Sequence, residues 1–337
     1  MNAAFVVTDL SYRYRRAERL ALDGIEIAAE RGRVLGLLGP NGCGKTTLIR
    51  ILASTLRTGR GSARLFPDDA ASSPDKGRRR VAACFDRVPL LEALSGRENA
   101  IRLTGLRGVG HEEAARRVDH WLSVFGLATR AADAAGTYSL GMRRKLALTE
   151  AFAARADLLL LDEPLGGLDA EGKAALLASL RDERERGAAA VVAVHDPDFA
   201  AAACDTVVLM DGGRVLTHGA PAALIESLAL ETTFEVTLAT PADSVRAAPG
   251  HPGAEGPGQP SVLAGVGLPD GVRILGATPE GVRLASTRGA EALPETAAAI
   301  VEAGGLIRAI HVREPDLDDV FASLTGRTMS ATRSAPA

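Results

Sequence analysis

Gly39-Pro40-Asn41-Gly42-Cys43-Gly44-Lys45-Thr46-Thr47 constrains this chain more than any other stretch, because of what stands on either side of it. The apolar run Val34-Leu35-Gly36-Leu37-Leu38 precedes it and reads as a buried strand, and Leu48-Ile49-Arg50-Ile51-Leu52 follows with helical character. Strand, glycine-rich loop and helix form the context that a phosphate-binding P-loop requires. Gly39, Gly42 and Gly44 open backbone conformations closed to other residues, so successive N–H groups curl around an anion at the positive end of the helix. Lys45 is placed to reach the β- and γ-phosphates, and Thr46 to offer its hydroxyl to Mg²⁺. A turn that merely joined strand to helix would need neither Lys nor Thr at those offsets. Tyr138-Ser139-Leu140-Gly141-Met142 supplies a second phosphate-facing element, and the two together point to ATP.

The run Leu158 to Leu161 ends in Asp162-Glu163-Pro164, which puts two carboxylates at the C-terminal end of a buried strand, where open α/β sheets bind ligands. Asp162 is suited to hold Mg²⁺ through its water shell, and Glu163 to polarise a water for attack on the γ-phosphate. The plainer alternative is a strand end with two solvated acids. A helix near Ala174 to Arg186 leads to the strand Ala190 to Val194, and this β-helix-β order implies a parallel sheet. His195 ends that strand. Cys43 lies where loop N–H groups and Lys45 would favour a thiolate, although a small filler residue explains the position equally well.

The 337 residues allow one large and one small domain. The net charge of −3 gives no general affinity for nucleic acid, and Lys76-Gly77-Arg78-Arg79-Arg80 reads as a solvated loop or strand entry. Three scattered cysteines fit a reducing compartment, and no apolar run approaches the roughly 20 residues of a membrane span. Near the N-terminus, strand period places Val6, Thr8, Leu10, Tyr12 and Tyr14 on one face of an antiparallel β edge. From Leu91 to Ala154 the pattern turns helical, with Glu112 and Glu113 in a first turn and Gly126 closing a helix. Thr206 to Met210 forms another strand. After Leu230 come strand patterns at Thr233 to Leu238, Val272 to Leu275, Gly281 to Leu284 and Ile307 to Val312, with a helix at Pro294 to Ala303. Pro241 to Pro260, rich in Ala, Gly and Pro, reads as a mobile loop.

Over about residues 4–225 the chain resembles the nucleotide-binding subunit of an ABC transporter. The order of motifs carries the resemblance: the P-loop, then Tyr138 to Met142 followed by Arg143-Arg144-Lys145 as the signature, then Asp162-Glu163-Pro164, then Leu168-Asp169 as the D-loop. His195 resembles the family's switch histidine, which contacts the γ-phosphate. The resemblance implies that two copies pack head to tail, each ATP lying between one P-loop and the other copy's Ser139, Gly141 and Asp169. It also implies an adenine-stacking aromatic, Tyr14 by spacing, with Tyr12 the alternative. Asp86 stands where the family carries Gln, and its carboxylate is a further candidate Mg²⁺ ligand. Leu140 and Met142 in the signature are similar to ABC-2 type exporters of drugs and polysaccharides. The ending Arg313-Glu314-Pro315-Asp316-Leu317-Asp318-Asp319-Val320-Phe321 looks like that of daunorubicin-type exporter ATPases. Read by itself, it is a short amphipathic helix with Leu317, Val320, Phe321 and Leu324 on one face.

The expected fold class is therefore α/β, a P-loop NTPase of the ABC ATPase type with an antiparallel β subdomain, a helical subdomain and a small C-terminal α/β accessory domain. Residues 1–228 are expected to form the ATPase domain, with the helical subdomain at about 88–156. Residues 229–328 would form the accessory domain with the loop 241–260, and 329–337 a disordered tail. The resemblance implies an ATP hydrolase driving efflux through a separate ABC-2 type membrane permease, held by it at the inner face of the cell membrane, with no nucleic-acid partner. The alternative is a non-transport ABC ATPase acting as a switch on ribosome or DNA.

Overall fold

The computed structural model describes residues 2–67, 74–85, 90–228, 230–239, 266–278 and 281–329. Asp86, the stretch 241–260 and residues 330–337 of the expected tail lie outside the described residues. The chain opens with the antiparallel pair β1 (Ala3–Tyr12) and β2 (Leu22–Glu30), enters β3 (Val34–Leu38) and helix α1 (Lys45–Leu52), and returns as β4 (Arg60–Leu65). Strand β1 lies between β2 and β4 in a three-stranded sheet. After α2 (Pro74–Arg79) and β5 (Val81–Cys84) come three helices, α3 (Gly96–Gly105), α4 (His111–Val124) and α5 (Leu140–Ala153). The chain then forms β6 (Leu158–Asp162), α6 (Ala170–Glu185), β7 (Ala189–Val194), α7 (Pro197–Ala203), β8 (Thr206–Asp211), β9 (Arg214–Gly219) and α8 (Pro221–Glu226).

The central sheet has the order β5-β6-β7-β3-β8-β9, parallel except for the antiparallel edge β9. Every residue of β3, β6 and β7 is buried. Helices and the first sheet cover both faces of these strands, which is why their sequences are unbroken apolar runs and do not alternate. Helices α3, α4 and α5 share their own core of Ala100, Val118, Leu122, Tyr138 and Leu146, so the helical insert is held together by its own side chains. Ser95 and Glu98 form a reciprocal capping box at the start of α3.

The first strand departs from simple alternation. Phe5, Val7 and Leu10 are buried whereas Thr8 is exposed, because the register shifts between Val7 and Leu10, where Asp9 takes φ 45°. One extra residue at this bulge moves the later side chains to the other face. The expected single face from Val6 to Tyr14 is thereby split in two.

The second sheet system contains β10 (Thr232–Leu238), β11 (Val272–Thr278), β12 (Gly281–Ser286) and β13 (Ile307–Arg313), in the antiparallel order β11-β12-β10-β13. Helix α9 (Leu293–Glu302) contributes Ile300 to a core with Phe234, Val236 and Leu284. The last helix is α10 (Leu317–Thr325). Contacts divide the chain into two compact units, Ile225–Val320 and the remainder, so the chain from Phe321 onward belongs with the first unit. The sequence reading kept 229–328 together; the structure returns the chain within α10. Phe321 and Met329 are buried, and Arg327 pairs with Asp211 at the end of β8. Leu324, expected on the apolar face, is 46% exposed. Among the described residues no helix is long and apolar enough to cross a membrane.

Candidate nucleotide site

Strand β3 delivers the chain into the loop and α1 receives it, with Gly44 as N-cap at φ 112°. Two glycines are demanded by space as well as by φ. A Cβ on Gly39 would lie 2.1 Å from Met210 O, and one on Gly44 would lie 2.6 Å from Ala21 O. Any side chain there would push the loop off the ends of β8 and the β1–β2 hairpin. Pro40 is buried and Asn41 exposed, so Asn41 and Gly42 form the open lip of the loop.

The Lys45 ammonium is buried and donates to Gly39 O at 2.6 Å and Pro40 O at 3.3 Å, with Glu163 Oε1 at 3.5 Å. Thr46 Oγ1 donates to Asp162 Oδ1 at 2.9 Å, and that carboxylate is 2% exposed at the end of β6. Thr47 Oγ1 and the Tyr14 hydroxyl hydrogen-bond at 3.2 Å. Tyr14 therefore reaches the P-loop helix, with Tyr12 set edge-on against its ring at 5.0 Å. Of the two candidate tyrosines, Tyr14 is the one bonded to the loop's helix.

Glu163 stands beyond Asp162 at φ 49°, a conformation that costs a residue with a Cβ on the order of 1 kcal/mol or more. Its N–H donates to Ala193 O at 3.0 Å on the neighbouring strand β7, and its Oε2 lies 2.8 Å from His195 Nδ1. Parallel pairing of β6 with β7 puts the ends of the two strands side by side, so Glu163 and His195 meet although 32 residues apart. Lys45, Thr46, Thr47, Tyr14, Asp162, Glu163 and His195 thus form one connected set at the C-terminal ends of β3, β6 and β7.

Cys43 is different. Its side chain is buried in the core with Leu48 and Met210, and burial pushes the thiol up from its ordinary value. The expected thiolate is not what this environment favours: desolvation outweighs the pull of Lys45, and the residue is a small filler. Its backbone still belongs to the loop, the carbonyl accepting from Gly213 N at 3.0 Å.

A second cluster forms at the start of α5. Ser139 is the N-cap, its Oγ accepting from Met142 N at 3.3 Å, and Leu140 beside it is 73% exposed. A Cβ on Gly141 would lie 2.6 Å from Gly167 O, so glycine is required for the signature helix to sit against the β6–α6 loop. Asp169 caps α6 by accepting from Gly172 N at 2.8 Å and accepts from Lys145 Nζ at 2.8 Å. The Lys145 hydrogen bond holds the Asp169 carboxyl below the usual carboxylate range. The sequence names Arg144 and Lys145 only as two of the three cations that follow the signature, and assigns neither a contact. Arg144 is buried and donates from Nε to Gly166 O at 3.3 Å and from Nη1 to Phe85 O at 3.1 Å. Its sequence signal is a run of three cations just ahead of the buried stretch 146–149.

The family model described as ABC transporter matches residues 22–166. The doxorubicin resistance ATP-binding protein DrrA of Mycobacterium tuberculosis (strain CDC 1551 / Oshkosh) is 31% identical over 324 residues, 96% of this chain and 94% of that protein. The daunorubicin resistance ATP-binding protein DrrA3 of Streptomyces coeruleorubidus is 31% identical over 326 residues, 96% of each chain. A solved structure of an ATP binding subunit of an ABC transporter has a TM-score of 0.61 at 28% identity, covering 67% of this chain and 93% of that one. Likeness that runs almost end to end, on a chain whose P-loop and strand-end acids converge as described, shows that it belongs to the ABC transporter family as an ATP-binding, ATP-hydrolysing subunit.

Proposed function

We propose that this subunit drives export of a drug or another hydrophobic compound through a separate ABC-2 type membrane permease, at the inner face of the cell membrane. The names of its relatives support the direction of transport: two that match it nearly end to end are doxorubicin and daunorubicin resistance proteins. The observation that carries the chemistry is the Glu163–His195 pair, 2.8 Å apart and within reach of Lys45. In this reading Lys45 and the loop N–H groups hold the β- and γ-phosphates, and Tyr14 stacks on adenine. Glu163 takes the proton of the attacking water, while His195 orients that carboxylate and contacts the γ-phosphate.

Thr46 and Asp162 suit Mg²⁺. The Thr46 hydroxyl and the Asp162 carboxylate, hydrogen-bonded at 2.9 Å, bring together oxygen groups of the kind this hard cation takes; Thr46 would bind it directly and Asp162 through its water shell. Once bound, the cation neutralises phosphate charge. Asp86 is the proposed further ligand. Ser139 and Leu140 are exposed at the N-terminus of α5, Gly141 follows half-buried, and Asp169 accepts from Lys145 of the same helix, which supports a homodimer in which Ser139, Gly141 and Asp169 meet the second copy's ATP.

Glu163→Gln keeps the shape of the side chain and removes the base. ATP binding is expected to persist while turnover falls about 10²–10⁴-fold, and ATP-dependent dimers accumulate on size-exclusion chromatography. Turnover at the wild-type rate in this variant removes Glu163 from the mechanism. For the exporter assignment, the full chain co-expressed with its permease is expected to give ATP-dependent doxorubicin uptake into inverted membrane vesicles. Uptake indifferent to Glu163→Gln argues against it.

A further inference from the structure

Arg144 lies on α5, the helix that begins at Ser139, and reaches back into the catalytic core. Its side chain is buried, and its guanidinium spans two backbone carbonyls that belong to different connections. One is Phe85 O, at 3.1 Å, immediately after β5 and at the entry to the helical insert. The other is Gly166 O, at 3.3 Å, in the loop between β6 and α6. Gly166 in turn donates its N–H to Glu163 O at 3.3 Å. A continuous path of hydrogen bonds therefore runs from α5 through Arg144 and Gly166 to the residue held at φ 49°. Cys84, also beside the guanidinium, is kept a neutral thiol by burial, with its pKa pushed up to about 12.

We propose that Arg144 is a positioning residue for hydrolysis: it ties the turn bearing Glu163 to α5, so that the carboxylate is aligned only while the helical insert is seated against the core. The proposal rests on Glu163 being the base. Arginine is the side chain that suits the task, because a planar fork presents donors in two directions at once and keeps its charge when buried. A lysine keeps the charge but offers a compact head on a flexible stem, and holds two diverging carbonyls poorly. Arg144 holds Phe85 O and Gly166 O, whereas Lys45 and Thr46 are held by Gly39 O and Asp162, so its loss is expected to disturb hydrolysis more than ATP binding.

The test compares Arg144→Gln and Arg144→Lys with wild type and with Glu163→Gln, all in the full-length chain. Arg144→Gln is expected to lower kcat about 10–100-fold with the ATP Kd within about threefold of wild type, since geometry rather than binding is disturbed. Arg144→Lys should fall between the two. Because turnover is slowed after ATP is bound, Arg144→Gln should also accumulate the ATP-dependent dimer on size-exclusion chromatography with Glu163 intact, which a merely structural role would not produce. Wild-type kcat in Arg144→Gln, or joint loss of affinity and dimer in a folded variant, overturns the proposal. If Arg144→Gln does not fold, the lysine variant decides by the same split between kcat and Kd. The two readings separate cleanly. An active Glu163→Gln removes the base itself, whereas an inactive Glu163→Gln beside fully active Arg144 variants removes only the role of Arg144.

Discussion

Glu150 shows what burial does to a single side chain. Burial on α5 pushes its carboxyl up to about 8, and its Oε1 is buried without a hydrogen-bond partner among the described residues. A raised folded-state value means that the native chain holds this proton where the unfolded chain, titrating at about 4.3, has released it. Glu150 is therefore harmless at low pH, and its ionisation costs stability progressively as pH rises from the unfolded value toward the folded one. Glu150→Gln removes that slope. In urea titrations at pH 5, 6, 7 and 8 the variant is expected to gain on wild type by up to about 1.4 kcal/mol per pH unit, levelling off above pH 8. Parallel curves for the two proteins would show that the carboxyl is solvated in the native state. The convergence of the candidate site was legible in part, because Asp162, Glu163 and His195 end or follow strands that read as apolar runs and Lys45 opens the helix after a third. Arg144 was not, because a surface cation and a buried one look alike until the packing around them is known.

At the scale of elements, local chemistry accounts for the boundaries that were read closely and for those that were missed. Helix α4 ends where Gly126 takes φ 69°, as its sequence indicates. Helix α6 begins at Ala170, earlier than the apolar pattern suggests, because Asp169 accepts from Gly172 N and caps it. The bulge at Asp9 left no signal in the alternation, since one inserted residue is visible only against a partner strand. The contact between α5 and the β6–α6 loop is of the same kind: Gly141 meets Gly167 O across a sequence gap. Gly141→Ala forces the two apart and is expected to cost about 1–3 kcal/mol, the usual range for overpacking against backbone. Gly166→Ala, whose new methyl would find Arg144 Nη2 and Glu163 O at 3.6 Å, is the control expected to stay near wild type. Equal thermal stability of the two variants would mean that the helix and the loop separate freely.

For the whole molecule, the informative feature is that the first unit is completed by residues from the far end of the chain. The sequence places α10 with the accessory domain, because a short amphipathic helix does not state which core it covers. Two kinds of contact hold the returning segment. Arg327 pairs with Asp211 through side chains that are 47% and 23% exposed, and such a pair is worth about 0–1 kcal/mol. Phe321 is fully buried, and losing a buried phenylalanine ring costs about 3–5 kcal/mol. The burial of Phe321 therefore outweighs the ion pair. Truncation after Leu228 is expected to lower the Tm, Phe321→Ala in the full chain to reproduce most of that loss, and Arg327→Ala to change it little. ATP affinity is expected to survive in all three, because Lys45 and Thr46 of α1 and Asp162 of β6 are all retained. Equilibrium ATP titration on monodisperse protein, with thermal denaturation of the same samples, measures both quantities. An unchanged Tm on truncation would place Phe321 outside the core of the first unit, and a folded truncation that no longer binds ATP would make the C-terminal segment part of the nucleotide site.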